Sequence, residues 1–223
     1  RILSLKLLED SEGLHRQAAE VLYRLWLEEA ESSTEEQRLE IHRLAMLGKV
    51  ENISVEIADA LTYRWTNQSR FREVVKTCEE TLAVFPHYRI FHNLALSQAQ
   101  LGENDAAKKY YQQALDECPP AHEIAKGAIL HNLAGIYATQ GEVAKAIAFY
   151  EQSLELSEKI GNLQGKAATW HQLAVIYANQ GEVAKAIALC EQSLDLAEKI
   201  GDVQGKAATL HCLGGIYANQ GEV

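Results

Sequence analysis

Very little in this sequence could interrupt a helix, carry a charge onto nucleic acid or cross a bilayer. Only three prolines occur in 223 residues, and with 47% apolar and 23% charged residues the composition suits helices with buried faces rather than disorder. The four cysteines, Cys78, Cys118, Cys190 and Cys212, have neither C-x-x-C spacing nor the density of a disulfide-stapled secreted domain. Reduced, cytoplasmic thiols are expected. No apolar run of about eighteen residues could span a membrane, and no leader with a basic start and an apolar centre opens the chain. Basic excess is lacking too: a formal charge of −10 and a pI near 5.3 give a surface that repels phosphate backbones and anionic lipid. Nucleic acid and membrane partners are therefore excluded at this stage. The acidity itself serves solubility, or attraction of a basic partner.

Catalytic signatures are equally scarce. There is no phosphate-cradling glycine loop, no Gly-x-Ser-x-Gly elbow, no His-Glu-x-x-His pair and no cluster of carboxylates in an unrepeated segment. The stretch IAKGAI at 124–129 sets a lysine beside a glycine without the P-loop spacing. Glu142, Glu151 and Glu158 recur with the repeat described next, as a solvated helix face requires. No enzyme, cofactor or metal ion is expected.

What the sequence does contain is self-similarity. Residues 121–160 match 161–200 without a gap at 25 of 40 positions, and a third copy begins at 201 with GDVQGKAATLHCLGGIYANQGEV and stops within the unit. Each unit shows helical spacing of apolar residues twice, as in Trp170, Leu173, Ala174 and Tyr177, then Ala186, Ile187, Cys190 and Leu194. A unit is thus a pair of amphipathic helices. Asn162 and Asp202 are placed to cap the first helix of a pair, Gly141, Gly181 and Gly221 to turn between the two helices, and Gly161 and Gly201 to close the second. Small residues at 134, 146, 174, 186 and 214 let neighbouring helices approach closely, and Tyr137, Tyr177 and Tyr217 supply the large knob that fills the remaining space.

This pattern resembles the tetratricopeptide repeat, whose units carry Trp-x2-Leu-Gly-x2-Tyr, then a central Ala, an aromatic, a further small residue and often Pro. Trp170, Leu173, Ala174, Tyr177, Ala186 and Ser193 follow that order, with Cys190 where the family prefers an aromatic. The usual unit is about 34 residues, so these longer units are most similar to the arrays of kinesin light chain and the LGN-type polarity adaptors, and to near-identical units in large cyanobacterial proteins. Upstream, Phe91, Leu94, Ala95, Gly102, Ala107, Tyr111, Ala114, Leu115 and Pro119 make a unit of ordinary length. Leu61, Trp65, Phe71, Val74, Cys78, Leu82 and Pro86 make a weaker one, with looser or altered packing expected around Val74.

Residues 1–50 lack the signature. Leu14, Ala18, Val21, Leu22, Leu25 and Trp26 nevertheless mark one helical face, and Leu39, His42, Leu44 and Leu47 a second. Ser33 with Glu36, or Thr34 with Gln37, offers a capping box between them. The resulting plan is a diverged helical hairpin over 1–52 and an array over 53–223, with units at about 53–86, 88–120, 121–160, 161–200 and a truncated 201–223. The fold class is all-α: a right-handed superhelical solenoid of antiparallel helix pairs.

The resemblance implies a concave groove lined by the first helix of each pair. Its positions hold His92, His131, His171 and His211, then Asn93, Asn132, Gln172 and Cys212. Thr139, Asn179 and Asn219 come further along the same helices, with Lys126, Lys166 and Lys206 nearer their beginnings. Three readings of the histidine ladder compete: a residue copied by duplication, a peptide or ligand surface, and metal binding. The last is disfavoured because zinc needs nitrogens within about 2.0–2.1 Å whereas neighbouring helices are further apart. The Lys/Asn/Arg clamp with which related domains hold chaperone C-termini is replaced here by His and by Gly or Val, so chaperone tails are not expected. The three lysines could attract an acidic peptide or simply be solvated.

The function expected is a non-catalytic scaffold that binds a protein or peptide segment in the groove. The alternative is the sensor or regulatory arm of a larger multidomain signalling protein, such as a repeat-bearing signal-transduction ATPase or a caspase-like effector. It is motivated by the start at Arg1, the end within a unit, and the segment LEIHRLAML at 39–47, which resembles the junction behind the nucleotide-binding part of such ATPases. Near-identical repeats would also let the open C-terminal end stack on a second copy.

Overall fold

A computed structural model describes residues 2–221, with side chains from Ser11 onward. The described residues form helices joined by tight turns and contain no strand. They divide into two compact units, Arg1–Glu117 and Cys118–Val223.

In the first unit, α1 (Ile2–Tyr23) runs into a π-helical turn at Arg24–Glu28 and is followed by α2 (Glu35–Leu47), α3 (Glu51–Asn67), α4 (Phe71–Leu82), α5 (Tyr88–Gln100) and α6 (Asn104–Glu117). Helix α2 starts with the second of the two anticipated capping boxes: Gln37 N donates to Thr34 Oγ1 (3.2 Å) and Thr34 N to Gln37 Oε1 (2.8 Å). Ile41, Ala45, Ile57, Leu61, Trp65, Val74, Cys78, Ile90 and Leu94 form the core of this unit. Val74 is fully buried, so the packing there closes over the larger side chain.

The two N-terminal faces differ from the sequence reading. In α1 and the π-helical turn that continues it the packed stripe runs through Ala18, Ala19, Leu22 and Trp26, while Leu14, Val21 and Leu25 are exposed beside it. In α2, Ile41, His42, Leu44 and Ala45 are buried, and Leu39 and Leu47 are exposed. At about 3.6 residues per turn, a helix that packs along one narrow stripe buries only part of a broad apolar face.

The second unit comprises α7 (Glu123–Thr139), α8 (Val143–Ile160), α9 (Leu163–Asn179), α10 (Val183–Ile200) and α11 (Val203–Gln220). Helices α7 and α8, and α9 and α10, pack as pairs, and α11 packs on both α9 and α10. The turn inside each pair depends on a left-handed glycine, Gly141 (φ 75°) or Gly181 (φ 78°). The residue after it closes the helix end, with Glu142 N donating to Tyr137 O and Glu182 N to Tyr177 O, both at 2.9 Å. The turns between pairs end in caps: Gly165 N donates to Asn162 Oδ1 (3.0 Å) and Gly205 N to Asp202 Oδ1 (2.9 Å).

Ala134, Ala146, Ala174 and Ala186 have no exposed surface, which is how the helices come close; Gly214, on the last described helix, is exposed. Tyr137 and Tyr177 are buried and Tyr217 is half-buried. Tyr137 stacks on Phe149 with centroids 5.3 Å apart. Ser153 Oγ donates to Gly127 O and Ser193 Oγ to Ala167 O, each at 2.9 Å, pinning second helix to first. A bulkier side chain at Ala186 would overpack this seam at a cost of about 1–3 kcal/mol.

Candidate functional site

The second unit carries three clefts along the first helices of its pairs. Between α9 and α11 lies one of about 370 Å³, where His171, Asn179, His211 and Asn219 meet Ala178, Ala208, Cys212 and Gly215. A second, of about 290 Å³, continues from it past His171, Gln172, Gln204 and Ala208. A third, of about 180 Å³ between α7 and α9, is lined by His131, Asn132, Ile124, Ala128 and Ala168. The two smaller clefts fall below the about 300–1,000 Å³ of pockets for whole drug-sized ligands and the first lies at the lower end of that range, sizes that suit side chains of a longer ligand. Of the lining residues Asp202 alone carries a formal charge, and its carboxylate is engaged as a helix cap.

Sequence reasoning did not pick out Ala128, Ala168, Ala178, Ala208 or Gly215. Their signal was available for the alanines, which repeat at the same places in each first helix (128, 168 and 208; 138, 178 and 218) and leave space between helices; at Gly215 the preceding unit has Val175.

The histidines do more than line these clefts. His131 Nδ1 lies 3.1 Å from Thr169 Oγ1, thirty-eight residues on, and His171 Nδ1 lies 3.4 Å from Thr209 Oγ1, again thirty-eight residues on. Each pair joins the first helices of consecutive units. The threonine hydroxyls are already committed as donors, Thr169 Oγ1 to Gly165 O (2.8 Å) and Thr209 Oγ1 to Gly205 O (2.9 Å). A hydroxyl has one proton, so with those two bonds kept the imidazoles donate through Nδ1; Thr209 Oγ1 also lies 3.2 Å from Ser193 Oγ, whose own proton goes to Ala167 O. His131 also sets its ring edge-on to Tyr150, with centroids 5.2 Å apart. Burial, with a small contribution from His171, pushes the His131 pKa down to about 4, and burial lowers that of His171. Both are neutral at neutral pH.

In the first unit His92 lies against Tyr111 (centroids 5.7 Å), and burial lowers its pKa to about 4 despite an opposing pull from Asp59. Asn93 Nδ2 donates to Asp59 Oδ1 (2.7 Å) and to Thr62 Oγ1 (2.9 Å). These two residues belong to a different unit from the clefts above. His211 is exposed on α11.

The lysines are drawn to neighbouring acids. Lys166 Nζ lies 2.8 Å from Glu158 Oε1 and over the Trp170 ring at 4.5 Å; Lys206 Nζ lies 2.7 Å from Glu198 Oε1. Lys126 is half-buried near the start of α7. Thr139 is exposed, and its hydroxyl donates back to Ile136 O at 2.8 Å. Cys212 Sγ reaches Cys190 Sγ at 3.5 Å, both as free thiols. Among the described residues no three His, Cys, Asp or Glu side chains are grouped to hold a metal ion, and no helix is long and apolar enough to cross a membrane.

Stacked pairs of antiparallel helices with interacting first helices define a helical-repeat solenoid, the class expected from the sequence. The family follows from the sequence match: the model for the tetratricopeptide repeat matches residues 87–159, 125–177 and 165–222, more than half of the chain. The chain belongs to the tetratricopeptide repeat family. No curated protein gives a significant sequence match.

Among solved structures, BtubC (BKLC) from P. vanneervenii superposes with a TM-score of 0.65 at 20% identity over 96% of this chain and 85% of that one. The nearly identical TPR-like repeats of a kinesin-light-chain candidate from Podosopora anserina give 0.60 at 22% identity, covering 76% and 88%. Aspartyl phosphate phosphatase F from Bacillus subtilis gives 0.65 at 12% identity, covering 82% of this chain and 53% of that one. These likenesses establish the fold.

Proposed function

We propose that this chain is a non-catalytic scaffold that holds a segment of another protein along the first helices of its second unit. Repeats of this family serve protein interaction, and one observation carries the reading further: consecutive clefts on α7, α9 and α11, lined by His131, Asn132, His171, Gln172, Asn179, His211 and Asn219. Amide, imidazole and small apolar groups alternate there, which gives polar anchoring with room for side chains. We further take residues 1–52 as a diverged hairpin ahead of the repeat units, and the four free cysteines as the mark of a reducing, cytoplasmic setting.

The test is comparative binding. Asn179→Ala and His211→Ala should each weaken capture of a bound segment several-fold, a lost hydrogen bond being worth about 0.5–1.5 kcal/mol, whereas Glu151→Ala on the outer helix should not. Equal binding by all three variants would remove the groove from the account.

A further inference from the structure

We propose that the clefts beside His131 and His171 select hydrogen-bond donors: the bound partner is an extended protein segment that places an uncharged donor, a hydroxyl or side-chain amide, against each imidazole, about three residues apart. The inference rests on the groove reading above and adds the chemistry of the partner.

It follows from a chain of fixed protons. The Gly165 and Gly205 carbonyls take the protons of Thr169 and Thr209, and these hydroxyl oxygens accept from Nδ1 of His131 and His171. Each neutral imidazole must then present Nε2 as a bare acceptor. Among the described residues no hydrogen bond reaches Nε2 of either ring, and both rings line clefts. A free neutral imidazole can exchange its tautomer to suit either kind of ligand; these two are held in one form, so a donor is favoured at each and an acceptor opposed.

Charge agrees with this. Of the groove lysines, Lys166 and Lys206 are paired with Glu158 and Glu198, and the one charged lining residue is an aspartate. Among the described residues that line these clefts there is no lysine or arginine for an acidic segment to meet. The spacing comes from the repeat: packed helices lie about 8–10 Å apart and an extended chain advances about 3.3 Å per residue, so successive histidines meet about every third residue.

Two measurements on the whole chain test this. Long-range proton–nitrogen correlation of the histidine rings should show the Nδ1–H tautomer for His131 and His171; the Nε2–H tautomer at both would overturn the proposal without any ligand. A positional library of short synthetic peptides should then enrich Ser, Thr, Asn or Gln at two positions about three apart. His171→Asn, which keeps a donor toward Thr209 but removes the outer acceptor, should lose about fivefold to tenfold of that binding. His171→Gln, which restores an acceptor at the outer position, should retain most of it, with thermal melts of both variants reporting the fold. Enrichment of Asp or Glu, or peptides that bind in the clefts with no preference for donors, overturns the donor rule and leaves the scaffold reading standing. Peptides whose binding no cleft substitution alters overturn the scaffold reading itself, and a library without any binder counts against both.

Discussion

In Thr169→Val the side chain keeps its shape and loses its hydroxyl, and with it the contacts to Gly165 O (2.8 Å) and His131 Nδ1 (3.1 Å). Thr169 is fully buried. The Gly165 carbonyl retains its ordinary helical environment, and that loss is small. The larger effect is at His131, where a donor left without an acceptor in a buried site costs about 1–3 kcal/mol. The ring has one escape, which is to move its proton to Nε2, where no hydrogen bond is made among the described residues, and leave a lone pair facing valine. That relief brings the expected cost to about 1–2 kcal/mol. Because a repeat array need not unfold in one step, the local readout is hydrogen exchange in α7 and α9, which should accelerate about fivefold to thirtyfold. The imidazole spectrum of His131 should switch tautomer in the same variant, and Thr169→Ser should do neither. Unchanged exchange together with an unchanged tautomer in Thr169→Val would refute the clasp.

Three other outcomes follow from the first unit. His42 is buried, its Nε2 is 3.0 Å from Thr81 Oγ1, and burial lowers its pKa to about 4 from an ordinary value of 6.5. The unfolded chain therefore binds the proton more readily, so the contribution of His42 is complete above pH 6.5 and is lost as pH falls toward 4, on the order of 3 kcal/mol in all; urea midpoints should fall across this window, and less steeply in His42→Leu. Gly48→Ala should cost about 1–3 kcal/mol, because a Cβ there would sit 2.4 Å from the backbone nitrogen of Arg16; a melting temperature equal to that of the parent would contradict the packing of α1. Ser69 holds a left-handed φ of 58°, so Ser69→Gly should stabilise the fold by about 0.5 kcal/mol after the extra freedom of the unfolded chain is counted, read as a higher urea midpoint.

Local features of this fold were readable in advance because their causes are local. The caps at Thr34, Asn162 and Asp202, the left-handed glycines and the alanines at helix crossings each depend on a few neighbouring residues. The N-terminal faces were only half legible, since which stripe of α1 is buried is decided by α2 and α3 and not by α1's own periodicity. The π-helical turn at Arg24–Glu28 has no counterpart in the repeat signature, and the sequence held no sign of it.

The histidine ladder shows the same boundary. Its repetition was plain, but its bonds span thirty-eight residues and depend on how one unit stacks on the next. A signal did exist, because Thr169 and Thr209 follow His131 and His171 at equal intervals. Lys166 and Lys206 were visible as a repeated pair, whereas their glutamate partners lie on the preceding helices and become neighbours only through the turn between units.

The central claim is that a partner lies along the first helices. A benzophenone amino acid placed at Ala208, exposed in the cleft between α9 and α11, and separately at Glu151, exposed on α8, tests it by photo-crosslinking to the bound segment and mapping by mass spectrometry. The account predicts cross-links from position 208 that His171→Asn diminishes, and none from position 151. Cross-links from 151 with none from 208 would contradict it.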